Sequence, residues 1–484
     1  MLTAIVWFRR DLRLADNPAL RHALEHHEQV LPVYIHAPDE EAPWAPGGAA
    51  RWWLHHSLAA LSAALARAGA PLLLRQGPSL GQLRELARTV GAAAVYWNRL
   101  YEPALIARDQ AIKQSLREDG LMAESFNAAL LVEPWQMKTG NGDPYRVFTP
   151  YWRSASARLP QHPPPLPGVG KLSPAGNAPR GLALKDLGLL PQIRWDGGLR
   201  ETWTPGEAGA WKQLELYCDE AAAHYQEERD LPAVEATSRL SPHLHFGEIS
   251  PGQIVARLRR LAAEDTRHGV VANTDHYIRE LGWREFSHHL LFHYPHTPAQ
   301  PLNRKFDAFP WRKPRDYAAD LRAWQRGRTG VPLVDAGMRQ LWQTGWMHNR
   351  VRMIVASFLT KNLLIPWQEG ARWFWDTLVD ADLANNTQGW QWTAGCGADA
   401  APYFRVFNPV LQSGKFDPRA VYLRRWLPEL AQVPDAAVHA PWLARSAAPA
   451  PYDRPTVDLA SSRLRALAAY ASIQNAGKIG QALA

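Results

Sequence analysis

Cysteine is scarce in this chain: two residues, Cys218 and Cys396, among 484. A disulfide framework and any cysteine-rich zinc or iron–sulfur centre are thereby excluded. A reduced, cytoplasmic compartment is the expectation. No apolar run approaches the roughly 20 residues of a membrane span. The stretch Leu2–Phe8 has no basic leader and runs at once into Arg9, Arg10 and Asp11, which marks a first strand rather than a signal peptide. The turn after it, Arg9-Arg10-Asp11-Leu12, lacks the glycines of a dinucleotide fingerprint. Neither a phosphate-binding GxxxxGK loop nor HExxH occurs. The histidine pairs His55-His56 and His288-His289 are adjacent on helical patterns and point apart, so they read as surface or packing residues, and no metal site is expected.

Tryptophan, by contrast, is abundant. There are 22, and ten of them lie from Trp283 to Trp392. Charge is also uneven. The chain carries 54 Lys+Arg against 46 Asp+Glu, net +8, yet residues 1–150 hold 15 of each, so the whole excess falls later. A basic excess interleaved with aromatic rings suits a surface that stacks bases and grips phosphates, although most tryptophans pack cores.

Short apolar runs at Ala4–Phe8, Val30–His36, Leu72–Arg75, Ala93–Asn98 and Ala123–Phe126 alternate with helical patterns near Pro18–His27, Ala50–Ala68, Leu80–Val90 and Leu105–Arg117. Strand–helix alternation with short links predicts a parallel, doubly wound α/β domain over residues 1–130. Asp16 or Asn17 before Pro18 makes a helix start. Between Pro160 and Gly209 the periodicity fades and nine prolines and nine glycines appear, which predicts a surface connector, assigned to 131–206. From 207 to 484 the patterns are helical, with a single long helix expected over Val351–Leu364, so the second domain is expected to be all-α.

Residues 380–392 read Asp-Ala-Asp-Leu-Ala-Asn-Asn-Thr-Gln-Gly-Trp-Gln-Trp. Two carboxylates, two asparagines and a glutamine precede a pair of indoles in an otherwise buried region, which predicts a polar heterocycle as ligand. Arg350 and Arg352 lead an apolar helix, and a buried arginine wants a carboxylate such as Asp380 or Asp382.

These residues, together with Thr237-Ser238-Arg239-Leu240-Ser241-Pro242, Trp283-Arg284-Glu285-Phe286 and Trp7-Phe8-Arg9-Arg10-Asp11-Leu12-Arg13, resemble the photolyase/cryptochrome family, and within it the bacterial class I photolyases for cyclobutane pyrimidine dimers, from the first strand to about Leu430. The resemblance implies an α/β domain joined to a helical domain that holds FAD, active in its reduced anionic form. It implies that Tyr225, Thr237, Ser238, Arg239, Leu240, Ser241 and Tyr277 hold the cofactor, that Arg352 pairs with Asp380 beside the ring system with Ala381 alongside, that Asp382 accepts from the flavin N3–H, and that Asn386 faces N5. It places the lesion, flipped out of UV-damaged DNA, between Trp283 and Trp392, with Glu280 bonding a damaged base and Met353 lining the pocket. Arg229, Asn349, Arg350 and Arg405 match positions near the DNA phosphates. Trp390, Trp367 and Trp311 match an electron-transfer chain to the flavin. The implied reaction is light-driven repair of the dimer, by a monomer without membrane attachment.

Alternatives within the family are a (6-4) photolyase and a cryptochrome-type receptor. The first places histidines where this chain has Asn349 and Met353. Plant-type receptors carry Asp where Asn386 stands, and often add a long extension, whereas about fifty residues follow Leu430. The resemblance also implies a second, antenna chromophore, methenyltetrahydrofolate or 8-hydroxy-deazaflavin. The Asn-Glu pair that contacts folate in some relatives is Ala104-Leu105 here, and a basic residue expected near Pro298–Ala299 is missing. Between a deazaflavin, another flavin and an empty site the sequence makes no choice.

Overall fold

The computed structural model describes residues 2–400, 404–444 and 448–482. Five parallel strands, β1 (Thr3–Phe8), β2 (Gln29–His36), β3 (Leu73–Gln76), β4 (Ala92–Asn98) and β5 (Met122–Phe126), form one sheet in the order β3-β2-β1-β4-β5. They alternate with helices α1 (Pro18–His26), α2 (Gly48–Ala68), α3 (Ser79–Val90) and α4 (Pro103–Glu118). All six residues of β1 are buried. A central parallel strand is covered on both faces, which is why it reads as a continuous apolar run instead of an alternating one. Asn17 is the cap of α1: its side chain accepts from the Leu20 N–H at 3.1 Å, with Pro18 in the first turn.

The strand order reverses between β1 and β4, the crevice where doubly wound sheets commonly bind ligands. Here the chain fills it from within. The Arg9 guanidinium donates to Asp109 at 2.6 Å, the Arg9 N–H donates to Asp11 at 2.6 Å, and Asn98 Nδ2 donates to Asp11 at 2.6 Å. A GxSxG spacing, Gly77-Pro78-Ser79-Leu80-Gly81, sits at the β3–α3 turn, the setting of a nucleophile elbow. Ser79 Oγ instead donates to the Glu40 carboxylate at 2.6 Å, and the Ser79 N–H does so at 2.7 Å, so this serine is tied to an anion.

The connector is more than a surface run. Leu172, Leu187, Leu189 and Leu199 are buried in the sheet module's core, and Pro174 forms an isolated parallel bridge with Val30. Apolar anchors fasten it as a strap.

The helices that carry the site are α5 (Phe148–Ser156), α6 (Glu207–Glu220), α7 (Pro251–Glu264), α8 (Val270–His293), α9 (Pro332–Thr344), α10 (Asn349–Ser357), α11 (Trp367–Thr377) and α12 (Leu383–Ala394); α13 (Leu459–Ala482) follows. Among the described residues no strand lies beyond β5. The single helix expected over Val351–Leu364 is amended: α10 ends at Ser357 and widens into a π turn, Phe358–Asn362. The two modules are stitched by polar contacts. The N–H groups of Leu14 and Ala15 donate to Glu207 at 2.8 and 3.1 Å, and Trp53 Nε1 donates to Glu248 at 3.0 Å. Gly247 has φ +63° and lies where a Cβ would come within 2.2 Å of the Arg10 carbonyl oxygen, so only glycine permits this approach.

Candidate functional site

The polar stretch at 380–392 is the loop before α12 and α12 itself, a helix packed against α8, α10 and α11. Asp382 is its N-cap, and Oδ1 accepts from the backbone N–H and the side-chain amide of Asn385, each at 2.8 Å. Apolar periodicity does not announce this helix; the cap residue does. Part of the polarity is internal wiring. Asn386 Nδ2 donates to the Ala371 carbonyl at 3.0 Å, and Gln391 Nε2 donates to the Thr297 carbonyl at 2.7 Å.

The rest converges. Asp380 Oδ2 accepts from Arg352 Nη2 at 2.8 Å and from Ser241 Oγ at 2.6 Å, while Arg352 Nε donates to the Met347 carbonyl at 2.7 Å. Arg352 is thus fixed by a charge-assisted pair on one side and a backbone acceptor on the other. Ser238 Oγ and the Tyr277 hydroxyl lie 2.6 Å apart, and Tyr277 packs edge-on against Tyr225 with ring centroids 5.2 Å apart. Burial pushes the Tyr225 and Tyr277 phenols well up, so both are neutral donors. Arg239 adopts φ +52°, uncommon for a residue with a side chain, and its guanidinium lies over the Trp346 ring at 5.0 Å. The segment 237–241, α12's cap and the start of α10 therefore face one region. Asp380 Oδ1 is buried there without a hydrogen-bond partner, Gln388 Nε2 on α12 is likewise buried and open, and Arg239 Nε has only an ion pair with Glu235 at 3.4 Å. Buried polar atoms left open are what a bound polar ring system and its phosphates would satisfy, so these residues fit FAD.

The residues assigned to the lesion and to DNA are placed on neighbouring helices. Trp283 on α8 stacks on Phe148 with centroids 3.5 Å apart and 9° between planes; it and Trp392 on α12 are both partly buried. Met353 is partly buried on α10, and Asn349 is exposed at its start. Glu280 is paired with Arg229, and Arg350 with Asp230 at 2.5 Å, so two of the arginines matched to phosphates are held by carboxylates. Arg405 is exposed, apart from those pairs. Of the matched tryptophans, Trp390 and Trp367 are buried and Trp311 is partly exposed against Phe309, centroids 4.4 Å apart. Trp390 lies over Gly370 of α11, where a Cβ would sit 2.0 Å from its ring.

The histidine pair at 288–289 is corrected by the structure. Neither is on the surface, and His288 is more than packing: its Nε2 lies 3.4 Å from Asp382 Oδ2. His245 approaches the same oxygen at 3.7 Å. Sequence reasoning missed both because adjacency on a helix says which faces two residues occupy, not what packs against those faces. A second cleft opens beyond the carboxyl ends of β1 and β2, lined by Trp7, Arg10, Tyr34, Glu41, Arg108 and His245.

A parallel sheet module strapped to a helical module, with a cradle of this kind in the helices, defines a two-module flavoprotein. Residues 4–168 match the family model described as DNA photolyase, and residues 277–472 match the FAD binding domain of DNA photolyase. The chain is 48% identical to a deoxyribodipyrimidine photo-lyase of Agrobacterium fabrum, covering 97% of this chain and 98% of the relative. It is 40% identical to Cryptochrome-2 of Arabidopsis thaliana, covering 90% of this chain and 72% of that protein. Among solved structures, a bacterial class III photolyase from Agrobacterium tumefaciens superposes with a TM-score of 0.92 at 46% identity, over 98% of both chains. The chain belongs to the photolyase/cryptochrome family. The class I subtype expected from the sequence is not supported, since this structural relative is a class III enzyme.

Proposed function

We propose that this protein repairs cyclobutane pyrimidine dimers in UV-damaged DNA, using light and a reduced FAD. The observation that carries the proposal is the fixed Arg352–Asp380 pair, with an uncharged Asn386 one turn into the helix that follows Asp380. When bound, FAD supplies an electron to the dimer on excitation and recovers it once the pyrimidines separate.

The chain's residues do the rest. Arg352, held from two sides, presents a fixed positive charge that favours an anionic ring system. Asn386 spends one of its two amide N–H groups on the Ala371 carbonyl, so the side chain keeps one N–H and a neutral oxygen, and no charge, for a ligand. Ser238, Tyr277 and Arg239 supply donors for the phosphates and ribityl chain. Trp283, stiffened by its stack on Phe148, gives the lesion a flat wall. Arg229 and Arg350 exchange Glu280 and Asp230 for phosphates on docking, which sets the DNA in register and frees Glu280 to bond a damaged base. Flipping the lesion costs a few kcal/mol, less for a poorly stacked dimer. Trp390, Trp367 and Trp311 carry electrons inward from the surface. Asn349 and Met353, where (6-4) enzymes place histidines, favour the cyclobutane substrate. A second chromophore would take the cleft at β1 and β2, whose indole, phenol and arginines suit a planar polar ring.

The test is an oligonucleotide with one defined thymine dimer, incubated with FAD-loaded, fully reduced protein under blue light and in darkness. Restored thymines only in the light are expected. No repair by flavin-loaded, reduced protein would overturn the proposal in favour of a receptor.

A further inference from the structure

Asp382 has its two oxygens in different surroundings. Oδ1 is satisfied by Asn385 at the start of α12, whereas Oδ2 faces His288 Nε2 at 3.4 Å and His245 Nδ1 at 3.7 Å. All three side chains are buried, with 10%, 7% and 6% of their surface exposed. The other nitrogen of His288, Nδ1, lies 3.0 Å from the carbonyl oxygen of Arg284. A carbonyl oxygen only accepts, and so does an ionised carboxylate. An imidazole held between two pure acceptors satisfies both only when each nitrogen carries a hydrogen. A protonated Asp382 donating to a neutral His288 is the other arrangement, but two N–H donors on Oδ1 and the positive end of α12 favour the carboxylate.

We propose that His288 is a buried imidazolium whose charge balances Asp382 and thereby sets the electrostatics of the flavin wall. The wall then holds Arg352 and His288 as cations and Asp380 and Asp382 as anions, net zero; with a neutral His288 it would be net −1. This rests on the reading that the 380–386 segment faces the isoalloxazine. An anionic reduced ring beside a net negative wall is destabilised relative to the neutral oxidised ring, so His288 is a positioning residue that favours reduction.

The groups facing His288 agree. On its own helix, Arg284 is paired with Glu285 at 3.3 Å, and Arg10, which faces Asp382 and His245, is paired with Glu102 at 2.6 Å. These cancel locally and leave Asp382 as the anion that His288 answers. His245 is the third member; burial pushes its imidazole down, so it stays neutral. Burial opposes the charge on His288 as well, yet the adjacent Asp382 more than offsets it and the ring is pushed up. Burial likewise opposes the charge of Asp382, and the two imidazoles, His288 foremost, hold it well below the usual carboxylate range.

Potentiometric titration of the FAD-loaded protein tests this, with H288Q and H288R beside the parent. H288Q is expected to shift the oxidised-to-reduced equilibrium about tenfold towards oxidised, about 30 mV for a two-electron couple. H288R, which keeps the charge, is expected to restore the parent value. In parallel, nitrogen NMR of the parent labelled at histidine should show both His288 nitrogens protonated at about pH 8, where an ordinary histidine with a pKa near ~6.5 is neutral. A neutral ring overturns the proposal even if H288Q does not fold. A charged ring with an unmoved potential in H288Q overturns its link to the flavin. Failure of the parent to retain FAD would instead refute the flavin reading, while the nitrogen shifts still decide the charge.

Discussion

Gly370 on α11 faces the ring of Trp390. A Cβ placed there would lie 2.0 Å from Cη2, 2.4 Å from Cζ3 and 2.5 Å from Cζ2 of the indole. Carbon atoms in contact prefer about 3.5–4.0 Å, so Gly370→Ala forces a displacement of about 1.5 Å. The indole has no room to yield: it is 2% exposed, packed edge-on against Phe374 at 5.0 Å and Trp324 at 6.1 Å between centroids. Overpacking of this kind costs about 1–3 kcal/mol, and the upper end applies where the neighbours are closely packed rings. Alanine regains about 1 kcal/mol of helix propensity over glycine. The net expectation is a loss of about 2 kcal/mol, seen as a fall of a few degrees in the unfolding temperature, together with slower photoreduction of oxidised flavin because Trp390 moves. Gly389, one residue before Trp390 on α12, is the internal control. A Cβ there meets nothing within 4 Å, so Gly389→Ala should raise stability by up to about 1 kcal/mol. Scanning calorimetry of both variants reads the pair. A Gly370→Ala protein as stable as the parent would refute the packing argument.

Three further outcomes are expected. Arg350→Ala should weaken binding to damaged and undamaged DNA alike and lower the slope of log K against log salt by about one; an unchanged slope removes Arg350 from the phosphate contacts. Trp367→Phe keeps an aromatic ring in a buried place and should impair photoreduction of oxidised flavin while sparing repair by chemically reduced protein; loss of both would make Trp367 a packing residue. His289 is pushed down to about 4 by burial, and its Nε2 accepts from the Tyr145 N–H at 3.0 Å, so it folds as the neutral ring. The unfolded chain binds this proton first as pH falls, so the stability is fully present above about pH 6.5 and is lost towards pH 4. Denaturant titrations across that window should show His289→Gln with about one proton less of slope; an identical slope would show that His289 titrates alike in both states.

Much of the sheet module was legible because its signals are local. Each strand is a short apolar run, each helix a periodic pattern, and Asn17-Pro18 fixes the start of α1 by capping chemistry that needs no distant partner. The 380–392 segment stood out for a similar reason, since that many polar side chains in an apolar region require partners. Because a buried guanidinium needs an anion, the residues alone also set an arginine at the head of α10 against Asp380 or Asp382; the choice of Arg352 with Asp380 came from the family resemblance. Tertiary structure decided the matters that depend on which faces meet. His288 and His289 look alike as letters, but α12 brings Asp382 to one of them and the β5–α5 segment brings the Tyr145 N–H to the other, so the environments favour a cation at the first and a neutral ring at the second. The carboxylates Glu280 and Asp230 that hold Arg229 and Arg350 lie fifty-one and one hundred and twenty residues from their partners. The π turn after α10 and the leucines that fasten the connector are likewise products of packing. Hydrogen bonding within a turn is written in neighbouring residues; charge balance in a buried site depends on every element that closes around it, and that is settled only when the chain has folded.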